Sequence, residues 1–192
     1  MATPDLYRLA GTSTWIALVA LVLSGIALAL FFGGAGEFWG PVNDALIVVT
    51  VIALIPTVLA VARLAGDRAA PWTTILTVAT IAGLILIAVG QTLLIVGRLS
   101  LEGSFVTGGV GIIPFLAWVV LIAVLGLGGG PIPDGVGRLA VAVIATVVVI
   151  SVVGALVSDG PLLWLAGVGL LVALSIWLAG LATTFGARAA IA

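Results

Sequence analysis

The sequence predicts an all-α integral membrane protein, folded as a bundle of six transmembrane helices. Of its 192 residues, 64% are hydrophobic and 7% are charged, whereas about a quarter are charged in soluble domains. Mean hydropathy is +1.49. The charged residues also leave six uncharged stretches, each near or above the roughly 18 residues that cross a bilayer: 9–36, 45–62, 69–97, 103–133, 139–158 and 160–187. Only short loops and tails remain, so residues 1–192 are expected to form a single membrane domain.

Span 1 is expected over residues 13–32, where the apolar run is too long for a secretory signal peptide. Span 2, over residues 44–64, follows a Gly-Pro turn. Asn43 or Asp44 is expected to cap its helix by accepting backbone amides of the first turn. Pro56 lies inside span 2, where it removes a backbone donor and favours a kink.

Span 3 is expected over residues 72–97, and its polar residues follow one stripe. Thr73, Thr77, Thr80 and Gln91 are spaced so that they share one helical face. That face is expected to point into the bundle, because lipid offers no hydrogen-bond partner. A threonine hydroxyl can bond to its own helix, but the glutamine amide needs a partner elsewhere.

Span 4 is expected over residues 108–127, with an irregular beginning. Three glycines and Pro114 occupy its first turns, so a loop or re-entrant turn is expected before a regular helix from Phe115. Spans 5 and 6 are expected over residues 137–157 and 161–185. Small residues elsewhere in the spans fit close contact between helices.

The basic residues predict the orientation of the chain. An even number of spans places both termini on one side, together with loops 2 and 4. Only Arg98 falls on the opposite side, and the other basic residues lie with the termini: Arg8, Arg63, Arg68, Arg138 and Arg188. This bias predicts cytoplasmic termini. The use of arginine without lysine, beside abundant alanine, glycine and valine, is typical of a GC-rich prokaryotic genome, so the cytoplasmic membrane of a prokaryote is expected.

A weak internal similarity suggests a three-plus-three inverted repeat with units 8–98 and 99–192. A shift of 90 residues places Gly40, Pro41 and Asp44 on Gly130, Pro131 and Asp134. Units with an odd number of spans insert with opposite orientations, as in many transporters. Overall identity is close to what composition alone gives, and Gly-Pro-x-x-Asp is also an ordinary helix start. Both interpretations stay open.

Three missing residue types exclude whole classes of chemistry. The chain has no His, Cys or Lys, so haem, iron–sulfur and structural zinc sites lack their usual ligands. A retinal Schiff base and a Ser-His or Ser-Lys nucleophile are excluded as well. No metal, cofactor or nucleic acid is expected to bind, and the chain is not expected to be an enzyme. No charge lies in the middle of a span, which disfavours proton-driven transport.

The candidate site lies where span 2 begins and span 3 ends. Trp39, Asn43, Asp44 and Gln91 are expected to form an external vestibule for a small polar solute or cation, with Pro56 deeper in span 2. In the alternative interpretation these residues only cap helices and hold them together.

Two functions follow from these interpretations. The first is a small-solute or ion transporter or channel. The second is a non-transporting accessory or scaffold subunit of a larger membrane complex, or a lipid-binding module. The bilayer is an expected partner in both cases, and a homo-oligomer or another membrane protein is a further possible partner. A wetted cavity lined by Gln91 and the threonine stripe would favour transport, whereas a dry, close-packed bundle would favour the module.

Overall fold

The computed structural model describes residues 3–66, 71–156 and 161–191, and every regular element within these ranges is an α-helix. The helices are α1 (Thr3–Phe32), α2 (Trp39–Ala53), α3 (Ile55–Ala65), α4 (Trp72–Ile95), α5 (Leu101–Leu127), α6 (Asp134–Leu156) and α7 (Pro161–Ile191). Six stretches of the described chain are long and apolar enough to cross a membrane, with α2 and α3 together forming one of them. The predicted all-α fold with six helices of spanning length is therefore confirmed.

The six spans form a closed ring. α1 packs against α2 and α3 on one side and against α7 on the other. α4 joins α2 and α3 to α5, and α6 joins α5 to α7. Apart from α1 and α7, which close the ring, neighbouring spans are also neighbours in the sequence, as short connections between antiparallel helices require.

Both ends of the chain lie at the same end of the bundle. The ring of Tyr7, near the start of α1, stacks on the ring of Phe185, near the end of α7, with centroids 6.1 Å apart. Arg188 donates a hydrogen bond to the carbonyl oxygen of Pro131, between α5 and α6. We call this end the terminal face, and we call the opposite end, where α1 ends and α2 begins, the far face.

The bundle surface is apolar and its centre is aromatic. Ile26, Val78 and Val124 are 51%, 63% and 62% exposed, and a continuous surface of this kind indicates contact with a lipid bilayer, as predicted. In the centre, the rings of Trp118 and Trp177 are fully buried and meet edge to face, with centroids 5.9 Å apart.

Span 2 begins earlier than predicted. α2 starts at Trp39, and its N-cap residue Phe38 makes no side-chain capping bond. Asn43 is therefore the fifth residue of the helix, and the prediction that Asn43 or Asp44 caps it is wrong. The reason is Pro41, which lies in the first turn, where its missing amide needs no partner and its fixed φ suits a helix.

Pro56 divides span 2 into α2 and α3, where the sequence predicts a disturbance. Leu54, between the two helices, keeps helical angles of φ −78° and ψ −17°, so the chain does not unwind. One turn into α3, the hydroxyl oxygens of Thr57 and Thr14 lie 2.6 Å apart. Thr14 donates to the carbonyl of Ala10 at 2.6 Å, which leaves Thr57 to donate to Thr14. This bond fixes α3 against α1.

The expected irregular start of span 4 is wrong, because α5 is one continuous helix. Its N-cap is Ser100, whose hydroxyl oxygen accepts the backbone amide of Gly103 at 3.1 Å. The helix thus begins seven residues before the predicted residue 108. A backbone in lipid must satisfy its own hydrogen bonds, so glycines that would break a helix in water remain helical here.

Gly111 instead brings the backbone of α5 close to α4. A methyl group added at Gly111 would lie 2.6 Å from the carbonyl oxygen of Gly83. Beside this contact, the hydroxyl of Thr80 donates to the carbonyl of Pro114 at 3.1 Å. The residues expected to interrupt the span therefore form a close helix contact of the kind common in membranes.

The first and last helices run past the predicted spans. α1 begins at Thr3 rather than at residue 13, and α7 ends at Ile191 rather than at residue 185. Both extensions lie on the terminal face. A helix can continue beyond the apolar core of the bilayer. Hydropathy therefore predicts the extent of the membrane span and not the residue at which the helix ends.

Candidate functional site

An apolar cavity lies inside the bundle at the far face. It has a volume of about 530 Å³ and lies between α1, α2 and α7, and we call it the outer cavity. Its lining includes Leu21, Ser24, Leu28, Asn43, Ile47 and Leu174. Leu28 and Val168 of the lining are 38% and 54% exposed, so the cavity is open to its surroundings. Its volume is in the range of sites for small molecules, about 300–1,000 Å³.

A second cavity continues towards the middle of the bundle. It has a volume of about 170 Å³ and lies between α1, α2, α4, α5 and α7, and we call it the inner cavity. Leu21, Ile47 and Leu174 line both cavities, so the two are separated only by these side chains. Phe115 and Trp177 form part of the inner lining, which is apolar.

A chain of polar side chains extends from the lining of the outer cavity, which includes Ser24 and Asn43, to Asp44, which does not line it. The hydroxyl of Ser24 donates to Asn43 Oδ1 at 2.7 Å, and Asn43 Nδ2 donates to Asp44 Oδ1 at 3.2 Å. Ser24 and Asn43 are buried, with 5% and 7% exposure, and Asp44 is half-buried. We call these three residues the polar cluster. It joins the last turns of α1 to the first turns of α2.

Asp44 has no cationic partner within the described parts of the chain. The one ion pair in those parts joins Arg138 to Asp134, 2.7 Å apart on α6 at the terminal face. The sole hydrogen-bond partner of the Asp44 side chain there is Asn43. Among the described residues, none therefore supplies a compensating charge to this half-buried carboxylate.

The structure brings two of the five predicted site residues together. Asn43 and Asp44 are bonded to each other, and Asn43 lines the outer cavity. Trp39 is half-buried and its ring packs against Phe38, with centroids 5.6 Å apart. Pro56 lies at the junction of α2 and α3. Neither of these residues belongs to the lining of the two cavities.

Gln91, the fifth predicted residue, lies apart from the polar cluster. Its Oε1 atom is buried and has no hydrogen-bond partner within the described ranges. Gln91 lines neither cavity. It stands near the end of α4 at the far face, so it shares the level of the polar cluster but makes no hydrogen bond to it.

The threonine stripe of span 3 points into the bundle, as predicted. Thr73, Thr77 and Thr80 are 6%, 8% and 0% exposed. Thr77 donates to the carbonyl of Thr73 at 2.6 Å, and Thr80 donates to α5. None of the three lines the outer or the inner cavity. Thr73 and Thr77 instead line a separate cavity of about 340 Å³ beside Arg63, and Thr80 joins α4 to α5.

Ser24 is the member of the cluster that the sequence interpretation omits. It is the one polar side chain between Trp15 and Glu37. Such isolation is a usable signal, because a lone polar group in a span tends to face a partner helix. Its partner, Asn43, lies across the connection between α1 and α2, and that pairing depends on how the two helices meet.

Side chains fill the bundle centre between the inner cavity and the terminal face. Trp118, Trp177, Leu181 and Phe185 are each fully buried. The indole Nε1 atoms of Trp118 and Trp177 have no acceptor within the described residues. The combined cavity therefore reaches inward from the far face and ends at aromatic rings.

Comparison of the chain with protein-family models, with curated proteins and with solved structures finds no match. Function is therefore argued from the chemistry of the site. The described residues include no group of three or more His, Cys, Asp or Glu side chains that could hold a metal ion. What the site offers is two adjoining apolar cavities with hydrogen-bonding groups at one end, which suits a ligand of the same polarity pattern.

Proposed function

We propose that the chain is a membrane-embedded binding protein for an amphiphile, a molecule with one polar head and one apolar chain. The observation that supports this function is the order of three parts from the far face inward: the polar cluster comes first, then the outer cavity, then the inner cavity. The head would lie at Ser24 and Asn43, and the apolar chain would extend towards Trp177. This function corresponds to the lipid-binding module among the alternatives that the sequence leaves open.

The dimensions of the cavity fit this proposal. Asn43 of α2 lines the outer cavity, and Leu54, directly after α2, lines the inner cavity. Eleven residues of helix extend about 16 Å. An apolar ligand gains free energy in proportion to the apolar area it buries. A bilayer already dissolves such a chain, so the polar cluster must supply the selectivity.

A transporter or channel for a small polar solute or cation is the second candidate. The observation that favours it is the buried Oε1 atom of Gln91, which lacks a partner within the described residues. A polar solute would, however, meet an apolar lining in both cavities and then the rings of Trp118 and Trp177. The amphiphile explains more of the site.

The membrane environment is part of the proposal. We place the chain in the cytoplasmic membrane of a prokaryote with both termini in the cytoplasm, so that the far face is external. The positive-inside rule supports this orientation, because Arg8, Arg63, Arg138 and Arg188 belong to helix ends at the terminal face.

The three-plus-three inverted repeat also stays a proposal. It is supported by the packing order, since α1, α2 with α3, and α4 follow one another as α5, α6 and α7 do. Pro56 divides the second span of the first unit, whereas α6 is a single helix. The two units would thus share the order in which their spans pack, but not the division of the second span into two helices.

The proposed function is tested by quenching the fluorescence of Trp177. The other five tryptophans are replaced by phenylalanine, and the variant is reconstituted in nanodiscs of zwitterionic lipid. The probe is dodecanol with a terminal bromine, a heavy atom that quenches on contact. Quenching should saturate with the mole fraction of probe and should be relieved by unlabelled dodecanol.

A matched pair of substitutions in α2 gives the control. Ile47→Phe adds volume inside the cavity and should abolish the saturable component. Val49→Phe adds the same ring type on the outer surface, where Val49 is 44% exposed, and should leave the component intact. Quenching that rises linearly with probe in the parent and in both variants would overturn the proposed function.

A further inference from the structure

We infer that the polar cluster selects a cationic head, so that the ligand is a lipophilic cation such as a long-chain amine. This inference rests on the proposed function and names its ligand class. It also makes Asp44, which is bonded to Asn43 of the cavity lining, a specificity-determining residue. Anionic amphiphiles, such as long-chain phosphates and carboxylates, would be disfavoured.

The first step is the direction of the hydrogen bonds in the cluster. The hydroxyl proton of Ser24 is used on Asn43 Oδ1, and one proton of Asn43 Nδ2 is used on Asp44 Oδ1. The groups that remain for a ligand are mainly acceptors: the carboxylate oxygens of Asp44 and the lone pairs of the Ser24 hydroxyl. A head that donates hydrogen bonds therefore fits better than one that accepts them.

The second step is charge. Asp44 is half-buried, and within the described ranges it has no cationic partner. Its Oδ1 atom lies 3.2 Å from the side chain of Asn43, which lines the outer cavity. The attraction between a carboxylate and an ammonium group is stronger here than in water, because the apolar lining lowers the local dielectric constant.

The third step separates Asp44 from the other acidic residues of the far face. Glu37 lies in the exposed connection after α1, and Glu102 lies in the exposed first turn of α5. Salt screens exposed charges of this kind, so they attract or repel charged ligands near the surface without selecting a ligand in the cavity. Among the acidic residues that the structure describes, only Asp44 is bonded to a residue of the cavity lining, so selectivity of head charge should depend on Asp44 and not on Glu37.

The test is competition against the brominated dodecanol on Trp177, with three competitors of equal chain length. They are dodecylammonium, dodecanol and dodecyl phosphate, and each concentration is expressed as a mole fraction in zwitterionic nanodiscs to remove differences in partitioning. The ammonium compound should displace the probe at a mole fraction lower than that of the phosphate by about tenfold or more. Dodecanol should fall between them.

Three substitutions locate the origin of this preference. Asp44→Asn removes the charge and keeps the size, so the ammonium and phosphate compounds should compete within about twofold of each other, with dodecanol unchanged. Asp44→Glu keeps the charge and should keep the preference. Glu37→Gln removes an exposed carboxylate from the same face and should also leave the preference in place.

The outcomes separate the inference from the function on which it rests. If the probe shows no saturable quenching, the proposed function itself fails. If quenching saturates but the three competitors act equally, the inference is overturned and the function stands. A preference that survives Asp44→Asn, or that is lost equally in Glu37→Gln, overturns the assignment to Asp44.

Discussion

Single polar side chains in this bundle act as connectors between helices. The bond from Ser24 to Asn43 joins α1 to α2, and the bond between Thr57 and Thr14 joins α3 to α1. Both pairs are buried. Lipid supplies no partner for a hydroxyl or an amide, so two polar groups on neighbouring helices satisfy each other and set the position of one helix on the next.

Thr57→Val should therefore destabilise the folded protein. The change keeps the shape of the side chain and removes the donor of the bond to Thr14, and bonds between membrane helices typically contribute about 0.6 kcal/mol and up to about 1.7 kcal/mol. The measurement is the free energy of unfolding in mixed micelles. Thr183→Val is the control, because Thr183 is exposed and bonds to its own helix. Equal effects of the two substitutions would contradict a connecting role.

At the scale of the element, α4 and α5 meet through backbone rather than through side chains. Gly83 and Gly111 face each other, and a methyl group on either would lie 2.5–2.6 Å from the other's carbonyl oxygen. Backbone atoms of a helix cannot move aside as the end of a flexible side chain can. The close contact therefore depends on glycine at both positions.

Gly111→Ala should force α4 and α5 apart. The expected loss of stability is about 1–3 kcal/mol, the usual cost of overpacking, seen as a lower midpoint of thermal unfolding. Gly109→Ala is the matched control two residues earlier, where no atom lies within 4 Å of the added methyl group. It should be neutral or slightly stabilising, since alanine is the better helix former. A similar midpoint for both variants would show that this contact is unimportant.

The sequence predicts the membrane spans well because charged residues bound each of them. Thirteen charged residues mark the ends of six spans, and the helices follow them. The errors at Asn43 and at Gly108 to Pro114 have different causes. Pro41 suits the first turn of a helix, so α2 begins before Asn43, whereas α5 continues through the glycines and Pro114 that were expected to interrupt it.

The candidate site is predictable only in its polar part. Asn43 and Asp44 stand out because they are rare residue types at the start of an apolar span. The cavity beside them is formed where Leu21, Ile47 and Leu174 meet. These three positions lie far apart in the sequence and carry common apolar side chains. They come together because α1 packs against α7 to close the ring, and no local sequence pattern indicates this contact.

At the scale of the whole molecule, charged residues lie at the two ends of the bundle, whereas the lateral surface of the bundle is apolar. The terminal face carries Arg8, Arg63, Arg138 and Arg188, whereas the far face carries Arg98 together with Glu37, Asp44 and Glu102. Arginine is retained in the cytoplasm during insertion. In the proposed orientation, the polar cluster and the mouth of the outer cavity lie on the external side.

Cysteine labelling tests this orientation directly, since the chain has no cysteine of its own. Glu37→Cys at the far face and Ala190→Cys near the end of α7 each introduce one exposed thiol. A membrane-impermeant maleimide added to intact bacterial spheroplasts should label Glu37→Cys, and it should label Ala190→Cys only after permeabilisation. The reverse pattern would contradict the proposed orientation. It would also turn the outer cavity towards the inner leaflet, so the amphiphile would enter from the cytoplasmic side.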